Sequence, residues 1–384
     1  ARPGGAVLAG LEHLDERYLR AVGYTTKSKR GGLPKMILLA DIVGEDDAAV
    51  ARAASEVVRI ANQRHGEGFV AASSEARKKF WLDRAKTAAI AKHTNAFKLN
   101  EDVVIPLDKL GEYTDAVERI NIELSIANKL ALLDALQAYF ATPFAIGKTG
   151  DVEFDRLPRE EILGDRVEQA RELLAFARAR WTYLLQHFDT PVAEAAPTLA
   201  RLGITHVAAD GQPRERRIID LLQERTIRVS WKAEIRAPLE RIFSGSAFAP
   251  VLAECEAIHR RVLSSRVFVA LHMHAGDGNV HTNIPVNSDN YAMLATAHET
   301  VARIMAIARS LNGVISGEHG IGLTKLEFLT DEETRAFRDY KRRVDPQERF
   351  NKGKLMPGAD LRNAYTPSFN LMGHESLIMQ QSDI

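Results

Sequence analysis

The chain has 384 residues, above the usual size of one domain, so one large or two modest domains are expected. Hydrophobic residues make up 45% and charged residues 27%, the balance of a folded globular protein rather than a disordered one. Lys and Arg number 51 and Asp and Glu 51, a formal net charge of zero with no long basic run, which leaves no electrostatic case for nucleic acid.

In chain order, residues 1–32 read as a connector, with a short helix around 11–20; the chain begins at Ala1 rather than Met, the mark of a processed or truncated beginning. Residues 36–43 (MILLADIV), bounded by Pro34 and Gly44, read as a buried strand. Val50, Ala53, Ala54, Val57, Val58 and Ala61 then recur at helical spacing over 45–63. Residues 68–72 read as a second short strand. A helix over 75–93 follows, with Phe80, Trp81, Ala85 and Ala88 on one side, and residues 100–106 (NEDVVIP) return as a strand ended by proline. This alternation, with a helix after Leu107, predicts a sheet covered by helices on at least one face.

From about Thr114 to Arg266 strand signals nearly vanish. Helices are predicted over 113–140, 159–187, 193–202, 214–224 and 250–264, punctuated by Pro143, Gly147, Gly150, Pro158, Pro191 and Pro213. The charge-rich faces of these helices read as solvated surface. The single cysteine, Cys255, falls in the last of them; one thiol allows no internal disulfide, CxxC pair or iron–sulfur ligand set, and it reads as a packed small side chain. The strand pattern resumes at Val267, followed by a helix over 290–310, a short strand over 313–316 and a helix over 331–343. The tail beyond Pro357 shows no periodicity. No apolar run approaches the roughly 20 residues that span a bilayer.

The chemistry is concentrated in residues 272–283, HMHAGDGNVHTN, where two strand-like segments flank a Gly-Asp-Gly-Asn turn. Such a turn predicts a tight hairpin that brings His274 and His281 face to face. Neutral imidazoles suit zinc and related divalent ions. Glu318, in the glycine-rich stretch Ser316-Gly317-Glu318-His319-Gly320, is the natural third ligand. His272 shares a strand face with His274, so spacing leaves open which of the two ligates.

The pattern H-x-G-D-G-N-x-H, with G-E-H-G-x-G about forty residues later, resembles the C-terminal domain of FAD-linked oxidases of the vanillyl-alcohol oxidase superfamily, of the D-lactate dehydrogenase, glycolate oxidase flavin subunit and D-2-hydroxyglutarate dehydrogenase type. Phe350-Asn351-Lys352-Gly353-Lys354 is similar to that family's closing F-N-P-G-K, with Lys352 in place of proline. Trp81-Leu82-Asp83-Arg84 resembles its W-x-x-R, and residues 101–106 its E-D-V-x-x-P strand.

The resemblance implies an α+β fold, a mainly antiparallel sheet covered by helices in a ferredoxin-like cap domain, with a large all-helical insertion. The domain would comprise 33–125 and 265–358, the insertion 126–264, and an irregular arm 359–384. It implies a metal, zinc or similar, on His274, His281 and Glu318, with His319 as catalytic base. Arg84, Asn283 and, more weakly supported by spacing, Lys98 would bind substrate, and Asn279 and Asn351 would lie near the flavin. The implied reaction is oxidation of a D-2-hydroxyacid to a 2-oxoacid by hydride transfer to flavin N5.

Neither Gly31-Gly32-Leu33-Pro34 nor Gly147-Lys148-Thr149-Gly150 has the spacing of a dinucleotide or phosphate loop. The FAD is therefore expected on an N-terminal domain outside this chain, and the chain is expected to be an inactive part of a longer enzyme. The further expected partner is an iron–sulfur or quinone-linked electron acceptor, and the expected location is the cytoplasm or the inner membrane face. Two readings compete: a metal-dependent hydrolase or lyase with a metal-bound water, and a non-catalytic assembly module built on the helical insertion.

Overall fold

The structure, a computed structural model, describes residues 5–24, 32–85, 97–205, 216–287, 290–322, 325–352 and 355–356; for 83–85, 97, 98 and 100 it describes the backbone alone. The chain divides into two compact units, one formed by Ala1–Thr114 with Val269–Ile384 and the other by Asp115–Phe268.

The first unit opens with β1 (Ala6–Asp15) and α1 (Glu16–Ala21), followed by β2 (Met36–Gly44), α2 (Asp47–Gln63), α3 (Ser74–Ala85) and β3 (Phe97–Val104). The helix α4 (Leu110–Ala141) runs from it into the second unit, which holds α5 (Arg159–Leu163), α6 (Arg166–Gln186), α7 (Val192–Arg201), α8 (Ile218–Gln223), α9 (Ala237–Ile242) and α10 (Ala249–Ser264). The chain then returns to the first unit with β4 (Ala270–His274), β5 (Asn279–Val286), α11 (Tyr291–Ser310) and α12 (Asp331–Val344).

The five strands form one sheet in the order β2-β1-β4-β5-β3, and all its pairs are antiparallel. Residues 1–32, expected as a connector, thus supply an inner strand. Residues 11–15 pair with β2 on one side, and 12–14 pair with β4 on the other, so helix begins only at Glu16. The Asp15 carboxylate sets that boundary by accepting the Tyr18 amide at 2.6 Å, a side-chain cap on α1, and it also accepts the Leu271 amide of β4 at 3.0 Å.

Three other expectations change. Residues 68–72 form no strand: Gly68 packs so closely on α2 that a Cβ would lie 2.9 Å from Val58, and Phe69 and Val70 are exposed. Residues 313–316 make a single bridge, Val104 with Val314, because the following backbone amides turn to a side chain of β3 (below). The helix expected over 159–187 breaks at Gly164, whose φ of +50° ends α5. The expected helix 75–93 is seen as α3 to Ala85; residues 86–96 and the tail 357–384 lie outside the described residues.

The helical unit has one continuous apolar core. Leu133, Leu136 and Phe140 of α4, Leu174, Trp181 and Leu184 of α6, Leu199 of α7 and Ile258 of α10 are among its buried members. Phe140 stacks on Phe243 with ring centroids 5.4 Å apart. Burying each large side chain there contributes about 1.5–3 kcal/mol. Cys255 is buried in this core, and burial pushes its thiol up to about 12, consistent with the packing role read from its sequence context. Among the described residues no helix is long and apolar enough to cross a membrane.

Candidate metal centre

Strand register decides what shares a face. In β4 and β5, His272 pairs with His281 and His274 with Asn279, because four residues, 275–278, make the turn. Gly278 closes it with φ +81°, and a Cβ there would collide with the Ile105 carbonyl oxygen, so only glycine fits. On the flanking strands Glu12 of β1 stands opposite His274, and Asp102 of β3 opposite His281. Period-two alternation puts Glu12, His272, His274, Asn279, His281, Asn283 and Asp102 on one face of the sheet.

This register corrects one expectation. His274 and His281 do not meet face to face: their rings stand at 85°, centroids 5.2 Å apart. It is His272 that stacks on His281, at 4.4 Å and 10°, and the Tyr18 ring of α1 lies 5.1 Å from that of His272. His272 Nδ1 lies 2.9 Å from the Asn283 amide.

Glu318 reaches the hairpin from the loop after Val314. Its Oε1 lies 3.2 Å from His274 Nε2 and its Oε2 3.8 Å from His281 Nε2. One ligand atom from each of His274, His281 and Glu318 falls within 4.8 Å of the others, close enough to share one ion. Glu12 Oε1 sits 2.7 Å from His274 Nδ1. With that nitrogen donating to a carboxylate, Nε2 carries the lone pair on the side of Glu318, an arrangement typical of metal-bound histidine.

His281 is 3% exposed, and among the described residues neither ring nitrogen has a hydrogen-bond partner. Burial lowers its pKa to about 4 against the opposing pull of Glu318, so its ring is neutral at pH 7. A buried imidazole left without partners is costly in a folded protein, and a cation between His274, His281 and Glu318 would use it. The donor set therefore fits a divalent ion with nitrogen and oxygen preference.

Behind the loop lies Asp102, fully buried. Its Oδ2 accepts the backbone N–H of Gly317 at 2.6 Å, of Glu318, and of His319 at 3.3 Å, while Oδ1 accepts Lys325 Nζ at 2.6 Å. Burial alone would raise this carboxyl, but Lys325 and the amides of Glu318 and Gly317 outweigh it and hold Asp102 well below the usual carboxylate range. His319 stands at the open side, its side chain 35% exposed, with its ring 5.1 Å from that of His281 and Nδ1 3.7 Å from Asp102 Oδ1.

The remaining predicted site residues divide. Asn283 is buried, its amide donating to the Ala270 carbonyl at 3.0 Å and its Oδ1 without a partner among the described residues. Asn279 is buried with Oδ1 unpartnered, and Gly317 packs over it: a Cβ on Gly317 would lie 2.7 Å from that oxygen. Asn351, φ +46°, lines a groove of about 590 Å³ with Phe337, Tyr340 and Phe350. Arg84 lies on α3, and Lys98 on β3 opposite Pro285, but their side chains are outside the described residues.

Sequence reasoning missed Glu12, Asp102 and Lys325. Asp102 was visible as part of a strand motif, and only the register gives it a task. Glu12 was hidden because its segment reads as a connector with a short helix, the polar Glu12, His13 and Asp15 breaking the apolar pattern of a strand.

A family model described as FAD linked oxidases, C-terminal domain, matches residues 2–131 and 245–355, more than half the chain and all of the centre just described. The glycolate oxidase subunit GlcD of Escherichia coli K12 is 38% identical over 94 residues, 23% of this chain and 19% of that protein. A D-lactate dehydrogenase of Archaeoglobus fulgidus is 41% identical over 86 residues, 22% and 19% of the two chains. A D-2-hydroxyglutarate dehydrogenase of Xanthomonas citri pv. viticola is 37% identical over 93 residues, 23% and 20%. The chain spans about a fifth of the length of these relatives.

Proposed function

The chain belongs to the family of FAD-linked oxidases, C-terminal domain, and from that premise we propose that it forms the substrate- and metal-binding portion of an FAD-dependent dehydrogenase. The reaction is oxidation of a D-2-hydroxyacid to the 2-oxoacid with hydride transfer to flavin N5. One observation carries the reading: His274, His281 and Glu318 converge within 4.8 Å inside the matched segments, with His281 buried and unpartnered.

Zinc or a similar divalent ion would be held by His274, His281 and Glu318 and supply the positive charge that orients a 2-hydroxycarboxylate and lowers its hydroxyl pKa. The flavin supplies the two-electron acceptor from an N-terminal FAD domain, with Asn279 and Asn351 lying near it. The exposed apolar side chains Met36, Leu38, Phe337 and Phe350 of the sheet-bearing unit support a partner domain of that kind.

The chain's own residues then have separate tasks. His319, half-exposed beside His281, takes the substrate's hydroxyl proton at a ring nitrogen as general base. Asn283 touches the substrate's carboxylate or hydroxyl, and Arg84 clamps the carboxylate through its planar guanidinium. Lys98 is the weaker candidate for the same carboxylate. The cap-like, ferredoxin-related character of the sheet-bearing unit belongs to this reading, as does the helical unit as an insertion, supported by the gap at 132–244 between the matched segments. The setting is the cytoplasm or the inner membrane face, with an iron–sulfur or quinone-linked acceptor reoxidising the flavin.

The test is metal analysis of the purified chain and of His281→Ala, followed by assay of the full-length enzyme with D-lactate, glycolate and D-2-hydroxyglutarate against a dye acceptor. One equivalent of metal, lost in His281→Ala together with dye reduction, is the expected result. Turnover of substrate that needs metal but no flavin would overturn it in favour of a hydrolase or lyase.

A further inference from the structure

We infer that Asp102 is a positioning residue, which with Lys325 at its back holds the Glu318–His319 loop over the hairpin that carries His274 and His281. The inference rests on the reading of that cluster as a metal centre. The two histidines need no such help, since the ladder between β4 and β5 fixes both. Glu318 has no ladder. Val314 makes the last bridge to β3, and residues 315–321 form neither helix nor strand.

What replaces the ladder is one carboxylate. Three consecutive N–H groups, of Gly317, Glu318 and His319, converge on Asp102 Oδ2. Successive amides aimed at a single anion form a concave nest, and bonds to an ionised acceptor are stronger than neutral ones. Asp102 stands opposite His281 in the strand register, so the oxygen that gathers the loop rises beside the buried ligand. Gly317 makes the approach feasible, because a side chain there would meet Asn279 and Val104.

Lys325 completes the device. It is 1% exposed and donates to Asp102 Oδ1 at 2.6 Å and to the Asp102 carbonyl at 2.8 Å, with Glu101 at 3.4 Å. A buried carboxylate is tolerable only when its charge and lone pairs are satisfied, and here one cation and three amides do so. The ligand Glu318 and the base His319 are therefore placed by a residue expected to touch neither metal nor substrate.

Asp102→Asn tests this, since it keeps the shape but turns one acceptor oxygen into a donor that must face either the amides or the Lys325 ammonium. Cobalt(II) is titrated into the full chain and followed by its visible d–d bands, and amide hydrogen exchange is measured in parallel. The expected result is a loss of cobalt affinity of about 10–100-fold with altered bands. The Gly317 and Glu318 amides, protected in the wild type, exchange quickly in the variant, while those of β4 and β5 stay protected. Unchanged affinity, bands and exchange would overturn the inference. If the wild type binds no cobalt, the metal reading fails, and exchange alone then decides: release of Gly317 and Glu318 in Asp102→Asn supports the tether, and no release overturns it. If Asp102→Asn does not fold, Lys325→Met takes its place with the same readouts, expected to move in the same direction, and wild-type behaviour in it overturns the inference.

Discussion

The two units treat polar groups in opposite ways. Among the described residues, twelve of the thirteen buried polar or charged side chains lie in the sheet-bearing unit, and Asn121 alone lies in the helical one. Among the described residues the sheet-bearing unit also exposes seventeen of the twenty-one large hydrophobic side chains that face solvent. The helical unit thus resembles an optimised core, apolar inside and charged outside. The sheet-bearing unit departs from that rule twice, and such departures are expected where side chains are placed for chemistry or for a partner rather than for stability.

The contrast predicts different responses to the same kind of substitution. Trp181→Ala in the helical core empties a large buried site and should lower stability by about 3–5 kcal/mol, read as a shift of the urea midpoint at unchanged slope. A loss under about 1 kcal/mol would break the comparison. His281→Leu removes a buried imidazole with no partner and replaces it with an apolar group, so the metal-free chain should be as stable as the wild type or slightly more so. A marked destabilisation would mean that the ring is already satisfied.

Glu12→Gln sharpens the contrast within the sheet. It keeps the size of the side chain that touches His274 Nδ1 but removes the charge, and metal affinity should fall about 10–100-fold with little change in thermal midpoint. Equal affinity by calorimetry would remove Glu12 from the centre.

The pH dependence follows from His13 and His281. Burial lowers both to about 4 from an ordinary 6.5. Both are neutral in the fold, whereas the unfolded chain takes up their protons from about pH 6.5 downward. Stability of the metal-free sheet-bearing unit should therefore be fully present above pH 6.5 and decline as pH falls toward 4. In the helical unit burial pushes Tyr139 and Cys255 up to about 12, so neither titrates in that window, while His259, lowered by burial, adds a response of the same sign. Denaturant midpoints at pH 7 and pH 5, for the wild type and for His13→Gln, check the sign; a fall that His13→Gln leaves undiminished would clear His13 of it. A modest effect is expected at α12, where Thr330 and Glu333 form a reciprocal cap, and Thr330→Ala should lower stability by about 1 kcal/mol.

The same contrast explains what could be read in advance. In the helical unit periodicity was a sufficient guide, because burial there follows apolarity: the expected helix over 250–264 is α10 within one residue. The hairpin with His274 and His281 was legible from its turn glycines. β1 was not, since Glu12, His13 and Asp15 interrupt the apolar pattern at the very positions where the sheet needs polar side chains. Asp102 stood in a quoted motif yet had no legible task, because its partners are backbone amides more than two hundred residues away, and amides leave no trace in a sequence. The stacking of His272 on His281 depended on a turn of four residues, a detail that composition alone does not specify.

The most direct test of the proposed centre is a cobalt(II) titration of the metal-free chain, followed in the visible spectrum and compared with His281→Ala and Glu318→Ala. The account predicts one ion per chain in the wild type, with d–d bands that report nitrogen and oxygen ligands, and no saturable binding in either variant. No binding by the wild type, or equal binding by all three proteins, would contradict it.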